Sequence, residues 1–190
     1  MPTDPAFRVY LAGPEVFLPT AKEIGLEKQR LCAEHGFEGL FPLDASLDLS
    51  GLSKSESARR IALANEALMR SADAIIANLT PFRGASMDAG TAFEIGFMRA
   101  LGRPTLGYTN ASGDYASRAR AFRHLPRQTF DCDRADADIE DFGLAENLMI
   151  AVAVHETGVD VVVNDISGDH QMADLKGFVD CLVMLRQQLA

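Results

Sequence analysis

From Asp73 to Pro104 the chain reads DAIIANLTPFRGASMDAGTAFEIGFMRALGRP, and this run constrains the fold more than any other. Ala74 to Asn78 is a buried strand. A loop rich in Pro, Gly and Ser follows, and then a helix that opens at Asp88-Ala-Gly-Thr and carries Glu94 on its second turn. Strand, glycine-bearing loop and helix N-terminus together place a ligand beyond the carboxyl ends of a parallel sheet. The charge narrows the chemistry. A phosphate cradle would offer lysine or arginine here, whereas this one offers two carboxylates, Asp88 and Glu94, with Arg83 the one cation of the loop. Carboxylates in a polar pocket suit proton transfer and oxocarbenium-like chemistry better than anion binding.

The rest of the chain alternates apolar runs with helical patterns, the signature of βαβ units. Strands are expected at Arg8 to Ala12, Phe37 to Phe41, Ala74 to Asn78, Pro104 to Tyr108 and Val159 to Val163. Helices are expected at Thr20 to Glu34 (closed by His35-Gly36), Ser55 to Ser71, Asp88 to Leu101, Glu146 to His155 and His170 to Leu189. Leu43 to Lys54 reads as a loop long enough to cover a site. Asn110 to Ala145 reads as an irregular excursion with some helix. Its basic run (Arg118, Arg120, Arg123, Arg127) and acidic run (Asp131 to Asp141) form a solvated, self-neutralising surface. The expected fold is α/β: a five-stranded parallel sheet with helices on both faces, flavodoxin- or Rossmann-like, in one domain over residues 1–190.

Composition excludes several functions. A net charge of −9 is wrong for a nucleic-acid surface, though a single pocket can still take a nucleoside. No apolar run approaches the length of a membrane span or a signal peptide. Cys32, Cys132 and Cys181 lack metal spacing and read as reduced thiols. A cytoplasmic setting is expected.

Residue by residue, alternatives stay open. Thr91-Ala-Phe-Glu94 fits a capping box, and Asp88 is a natural N-cap. The two carboxylates converge only if Asp88 precedes the regular helix, and Gly84 and Gly90 allow such a bend. Tyr10, on the first strand three residues before Gly13, either packs in the core or holds a carboxylate through its phenol. Asn65 either faces solvent or points into the pocket, and Asn147 is either an N-cap or a ligand-binding amide. Asp44, His35, His124, His155 and His170 show no metal or triad spacing.

Tyr10-Leu-Ala-Gly-Pro, Asp73-Ala-Ile-Ile-Ala-Asn, the run from Asp88 through Glu94 to Pro104, and Asn147-Leu-Met-Ile together resemble the nucleoside 2-deoxyribosyltransferase family. The resemblance implies a flavodoxin-like fold and transfer of 2-deoxyribose between nucleobases through a covalent glycosyl-enzyme, without metal or cofactor. It puts Glu94 on the nucleophile, Tyr10 on the phenol that orients it and Asp88 on the carboxylate that handles base or sugar. It puts Asn147 on a residue given to the neighbouring subunit's site, and so implies a homo-oligomer with shared sites. Gly13, Asn65, Arg83, Gly84, Gly90 and Asn147 form the expected substrate-binding set. AFEIGFMRALGRP and the Asn147 run are most similar to the purine-preferring branch. One departure is Asn65, which stands where members of the family commonly carry Asp. The resemblance does not cover Asn110 to Ala145.

Two alternatives differ in class. One is an N-glycosidase on 2′-deoxynucleoside 5′-monophosphates, with Ser86 and Arg83 as phosphate ligands. The other is a non-catalytic nucleotide-binding protein.

Overall fold

The computed structural model describes residues 6–43, 47–123, 137–168 and 171–190. Asp44, His124, Arg127, Cys132, His170 and the first part of the acidic run lie outside them. Strands β1 (Arg8–Ala12), β2 (Glu38–Leu40), β3 (Ala74–Asn78), β4 (Thr105–Thr109) and β5 (Val162–Val163) form one sheet in the order β2-β1-β3-β4-β5. Every pairing is parallel, as the alternating pattern predicts. Helices are α1 (Ala21–Glu34), α2 (Lys54–Ser71), α3 (Ala89–Ala100), α4 (Tyr115–Arg123), α5 (Leu148–His155) and α6 (Lys176–Gln188).

The sheet is covered on both sides, which is why its strands read as continuous apolar runs. Val9, Leu11, Ala74, Ile76, Leu106 and Tyr108 pack with Cys32 of α1 and Phe178, Cys181 and Leu182 of α6. The intervening residues Tyr10, Ala12, Ile75 and Ala77 pack with Met69 of α2, Ile95 and Met98 of α3 and Ala153 of α5. This period-two division fixes which helix each strand residue meets. Tyr10 faces α3 and Tyr108 faces α1 and α6.

β1 and β3 run in register, with Ala12 opposite Ala77, so their carboxyl ends lie side by side. Here the connections depart to opposite flanks of the sheet, the position where open α/β folds bind ligands.

Several boundaries differ from expectation. β5 is only Val162–Val163, because it is an edge strand that pairs with Tyr108 and Thr109 alone. β4 begins at Thr105, since Pro104 has no N–H to donate. α6 starts at Lys176 and α5 at Leu148, the latter capped by Asn147. The excursion contains α4, and part of its charge is self-neutralised as expected, through the Arg120–Asp141 ion pair. Arg118 departs from that expectation: its side chain is 14 % exposed and paired with buried Glu146. Among the described residues no helix is long and apolar enough to cross a membrane.

Candidate active site

The site begins with the pleat of β1. Tyr10 is fully buried on the α3 side, and its hydroxyl donates to Glu94 Oε1 at 2.6 Å. Both readings of Tyr10 therefore hold together: it is a core residue whose polar tip reaches α3. Asp88 caps that helix from an extended backbone, accepting on Oδ2 from the N–H groups of Gly90 (2.9 Å) and Thr91 (3.2 Å). The capping-box reading of Thr91 and Glu94 is thereby replaced. Asp88 takes the Thr91 amide, and Glu94, a turn further on, is turned to Tyr10.

The glycines act differently from expectation. The left-handed residue of the loop is Arg83 (φ 58°), not Gly84, which has open space around it. Gly90 matters through close approach, since a Cβ there would lie 2.9 Å from Asp88 Oδ2.

Among the described residues, the charged groups that act on Glu94 are carboxylates. Its surroundings raise its carboxyl to about 7, with burial the largest cause. The Tyr10 hydrogen bond pulls it down, and the negative charges of Asp88 and Glu15 push it further up. Burial, and then the charge of Glu94, drives the Tyr10 phenol far above its ordinary range, so Tyr10 stays a donor. Tyr10 occupies Oε1 and leaves Oε2 for other chemistry. Such a carboxylate can attack an electrophilic carbon, accept a proton, or stabilise positive charge developing on a sugar ring.

On the α1 side of the same sheet edge lies a second carboxylate that the motifs do not reveal. Glu15 is 1 % exposed in the short 3-10 turn Pro14–Phe17. Its Oε1 accepts from Lys28 Nζ (2.5 Å), Asn78 Nδ2 (3.0 Å) and Tyr108 Oη (3.1 Å). Lys28 is fully buried, and its ammonium also lies 5.6 Å from the Tyr108 ring centroid and 5.2 Å from that of Phe178. A sequence signal existed: Ile24, Lys28 and Cys32 form one i, i+4 row on the buried stripe of α1. Gly13 is explained here. A Cβ would fall 1.8 Å from Glu15 Oε2 and 2.9 Å from Asn78 Cβ, so the turn closes over the buried carboxylate only with glycine.

The remaining expected residues are placed as follows. Arg83 is exposed, with its guanidinium carbon 4.9 Å from the Phe17 centroid and 4.5 Å from that of Phe82. Those two rings stack at 5.4 Å and 9°, a feature absent from the sequence reading. Asn65 is half-buried on α2. Asn147 caps α5 by accepting from Met149 N (3.0 Å), while its Nδ2 donates to Glu140 Oε2 (2.9 Å). Ser86 Oγ donates to buried Glu146 at 2.6 Å. Among the described residues no group of three His, Cys, Asp or Glu side chains is arranged to hold a metal ion.

The chain is 30% identical in sequence to the 2-desoxiribosyltransferase of Leishmania mexicana, whose structure it matches with a TM-score of 0.62 over 91% of this chain and 97% of that one. A conserved protein from Enterococcus faecalis V583 shares the fold, with a TM-score of 0.53 at 19% identity, covering 98% of this chain and 100% of that one. An uncharacterized protein of Schizosaccharomyces pombe is 38% identical over 117 residues, which span 60% of this chain and 56% of that protein's length. The sequence profile described as Nucleoside 2-deoxyribosyltransferase matches residues 9–149, from the strand that carries Tyr10 past the N-cap of α5. The chain belongs to the nucleoside 2-deoxyribosyltransferase family.

Proposed function

We propose that the protein transfers 2-deoxyribose from one nucleobase to another by double displacement at Glu94. Glu94 Oε2 attacks C1′, the C1′–N bond breaks, and its electron pair leaves with the base, which takes up a proton. The acceptor base then attacks C1′ from the vacated face, the ester C–O bond breaks, and the acceptor gives up its proton. Two inversions give net retention. Asp88, at the mouth of the helix, handles the base or its proton, and Tyr10 fixes Glu94 by its one hydrogen bond. The observation that carries this reading is the Tyr10–Glu94 contact at 2.6 Å around a carboxylate raised to about 7, on which the charged groups acting among the described residues are Asp88 and Glu15. Positive charge on the sugar ring would supply the missing counter-charge in the transition state.

The reading extends to purine-preferring exchange in the cytoplasm, supported by the motif resemblance and by the free, buried thiols Cys32 and Cys181. It extends also to a homo-oligomer in which Asn147 serves the neighbouring site. Support comes from α5, which is apolar on both its faces: Ala151, Ala153 and Val154 are buried, while Met149 and Val152 stand 71 % and 46 % exposed. A helix hydrophobic all round is normally covered.

Exposed Arg83 favours a second reading, hydrolysis of a deoxynucleoside monophosphate. Ser86 weighs against it, because its hydroxyl is bound to the Glu146 carboxylate, which would repel a phosphate.

The test is to incubate the protein with deoxyinosine and adenine and separate the products by liquid chromatography. Deoxyadenosine formed only when adenine is present supports transfer. A thymidine donor tube reports base preference. Hypoxanthine released from deoxyinosine monophosphate, with no exchange product, would replace transfer by hydrolysis.

A further inference from the structure

We infer that Glu146 is a positioning residue: its single buried carboxylate holds the start of α3, where Asp88 sits, to the start of α5, where Asn147 sits. Glu146 is 1 % exposed. Its Oε1 accepts from Ser86 Oγ (2.6 Å) and Asn147 N (2.9 Å). Its Oε2 accepts from Met87 N (3.2 Å) and Arg118 Nη2 (3.3 Å). Two of these donors are backbone amides, one of the residue before Asp88 and one of Asn147 itself. One anion thus takes the N–H that precedes the α3 cap and the N–H of the α5 cap, beside the positive ends of both helix dipoles.

Arg118 completes the clamp from α4. Its Nε donates to Ala85 O (3.1 Å), its Nη1 to Gly113 O (3.0 Å) and its Nη2 to Ala145 O (2.6 Å). The guanidinium thus grips the backbone on both sides that Glu146 joins. A buried carboxylate with four donors, one of them an arginine, is satisfied. It has no lone pair to spare for a ligand, and so it acts through what it holds. The excursion after β4, which carries no motif of its own, supplies Arg118 and thereby reaches the site.

This inference rests on the proposed transfer for its kinetic arm only. Ser86→Ala and Glu146→Gln are made in the full chain, each in the parent and in an Asp88→Asn background. Deoxyinosine-to-adenine exchange is measured, with amide hydrogen exchange at Met87 and Asn147. Ser86→Ala should lower kcat about tenfold with KM within about twofold, since small displacements of a reacting group cost rate. In the Asp88→Asn background the same change should cost less than about twofold, because the clamp acts through Asp88. Glu146→Gln turns an NH2 toward Met87 N or Asn147 N, so exchange at both amides should quicken together, about tenfold or more, while β3 amides stay as they were.

The inference is overturned if folded Ser86→Ala keeps its kcat, if its loss is equally large beside Asp88→Asn, or if the two amides exchange as in the parent. A parent without any exchange activity would sink the proposed function, and the amide measurement would still decide the clamp. Should Glu146→Gln not fold, the Ser86→Ala kinetics decide it.

Discussion

Two tyrosines each donate to a glutamate, one on either side of the sheet, Glu15 buried and Glu94 half-buried. On the α1 and α6 side, Tyr108 meets Glu15 together with Asn78 and Lys28. On the α3 side, Tyr10 meets Glu94, and the charged groups acting on that carboxylate are themselves carboxylates, Asp88 and Glu15. The same pair of side chains has opposite meaning in the two places, and the ammonium decides which. Where Lys28 supplies the counter-charge, the carboxylate ties a turn, a strand end and a helix together. Where no described cation does so, the carboxylate keeps a demand for positive charge, which the sugar meets in the proposed transfer.

The largest expected effect breaks the reactive side. Glu94→Gln should lower exchange on the order of 10³-fold or more, as loss of a nucleophile does. Chromatographic initial rates check this, and normal turnover by a folded variant would remove Glu94 from the nucleophile's role.

Next comes the closed side. Lys28→Met leaves Glu15 buried among neutral donors and should cost about 3–5 kcal/mol in urea unfolding. Adding Glu15→Gln should recover most of that loss, and a double variant no better than the single would show that the ion pair is not what holds the turn.

A sharper comparison comes from Tyr10→Phe. The Tyr10 hydrogen bond lowers the Glu94 carboxyl against burial, so removing it raises that carboxyl further. The wild-type kcat/KM profile should fall below a midpoint of about 7 as Glu94 takes up a proton. The variant's acid limb should move to higher pH, with a rate loss of roughly tenfold to a hundredfold at neutrality. A limb that stays in place would assign it to another group.

The smallest effect is on stability. The folded carboxyl of Glu94 lies above its ordinary value of 4.5, so ionisation is penalised in the fold and relaxed in the unfolded chain. Glu94→Gln should therefore gain roughly 1–2 kcal/mol at pH 8, after allowance for partial exposure. The gain should fade as pH falls from about 7 to 4.5 and vanish below that. Urea midpoints at pH 8 and pH 4 give the comparison.

Most of the Tyr10–Glu94 side was legible in the sequence because all but Tyr10 is local: an apolar strand, a glycine-bearing loop and an acidic helix start within Asp73 to Pro104. The topology was legible too, since alternating strands and helices leave few parallel arrangements. The closed side was not, because its partners come from the turn after β1, α1, β3 and β4 and share no motif. Lys28 sits where a helix period calls for an apolar residue, and only packing shows what it meets. Glu146 was hidden in the same way, read as the first residue of an apolar helix when it lies before that helix and binds the loop ahead of α3. Asn147 carries a helix cap visible within one chain, while any service to a neighbour depends on a surface that one chain does not complete.

The pleat that sends Tyr10 one way and Tyr108 the other has an evolutionary consequence. Glu15 bears on the proton affinity of Glu94 from behind the sheet, out of reach of any substrate. If Glu94 acts as proposed, a substitution at Lys28, Asn78 or Tyr108 that changes the charge of Glu15 would act on Glu94 from behind the sheet, without altering the residues that face substrate. Relatives with identical pockets can thus part company in their working pH through a layer that a pocket-by-pocket alignment would pass over as core.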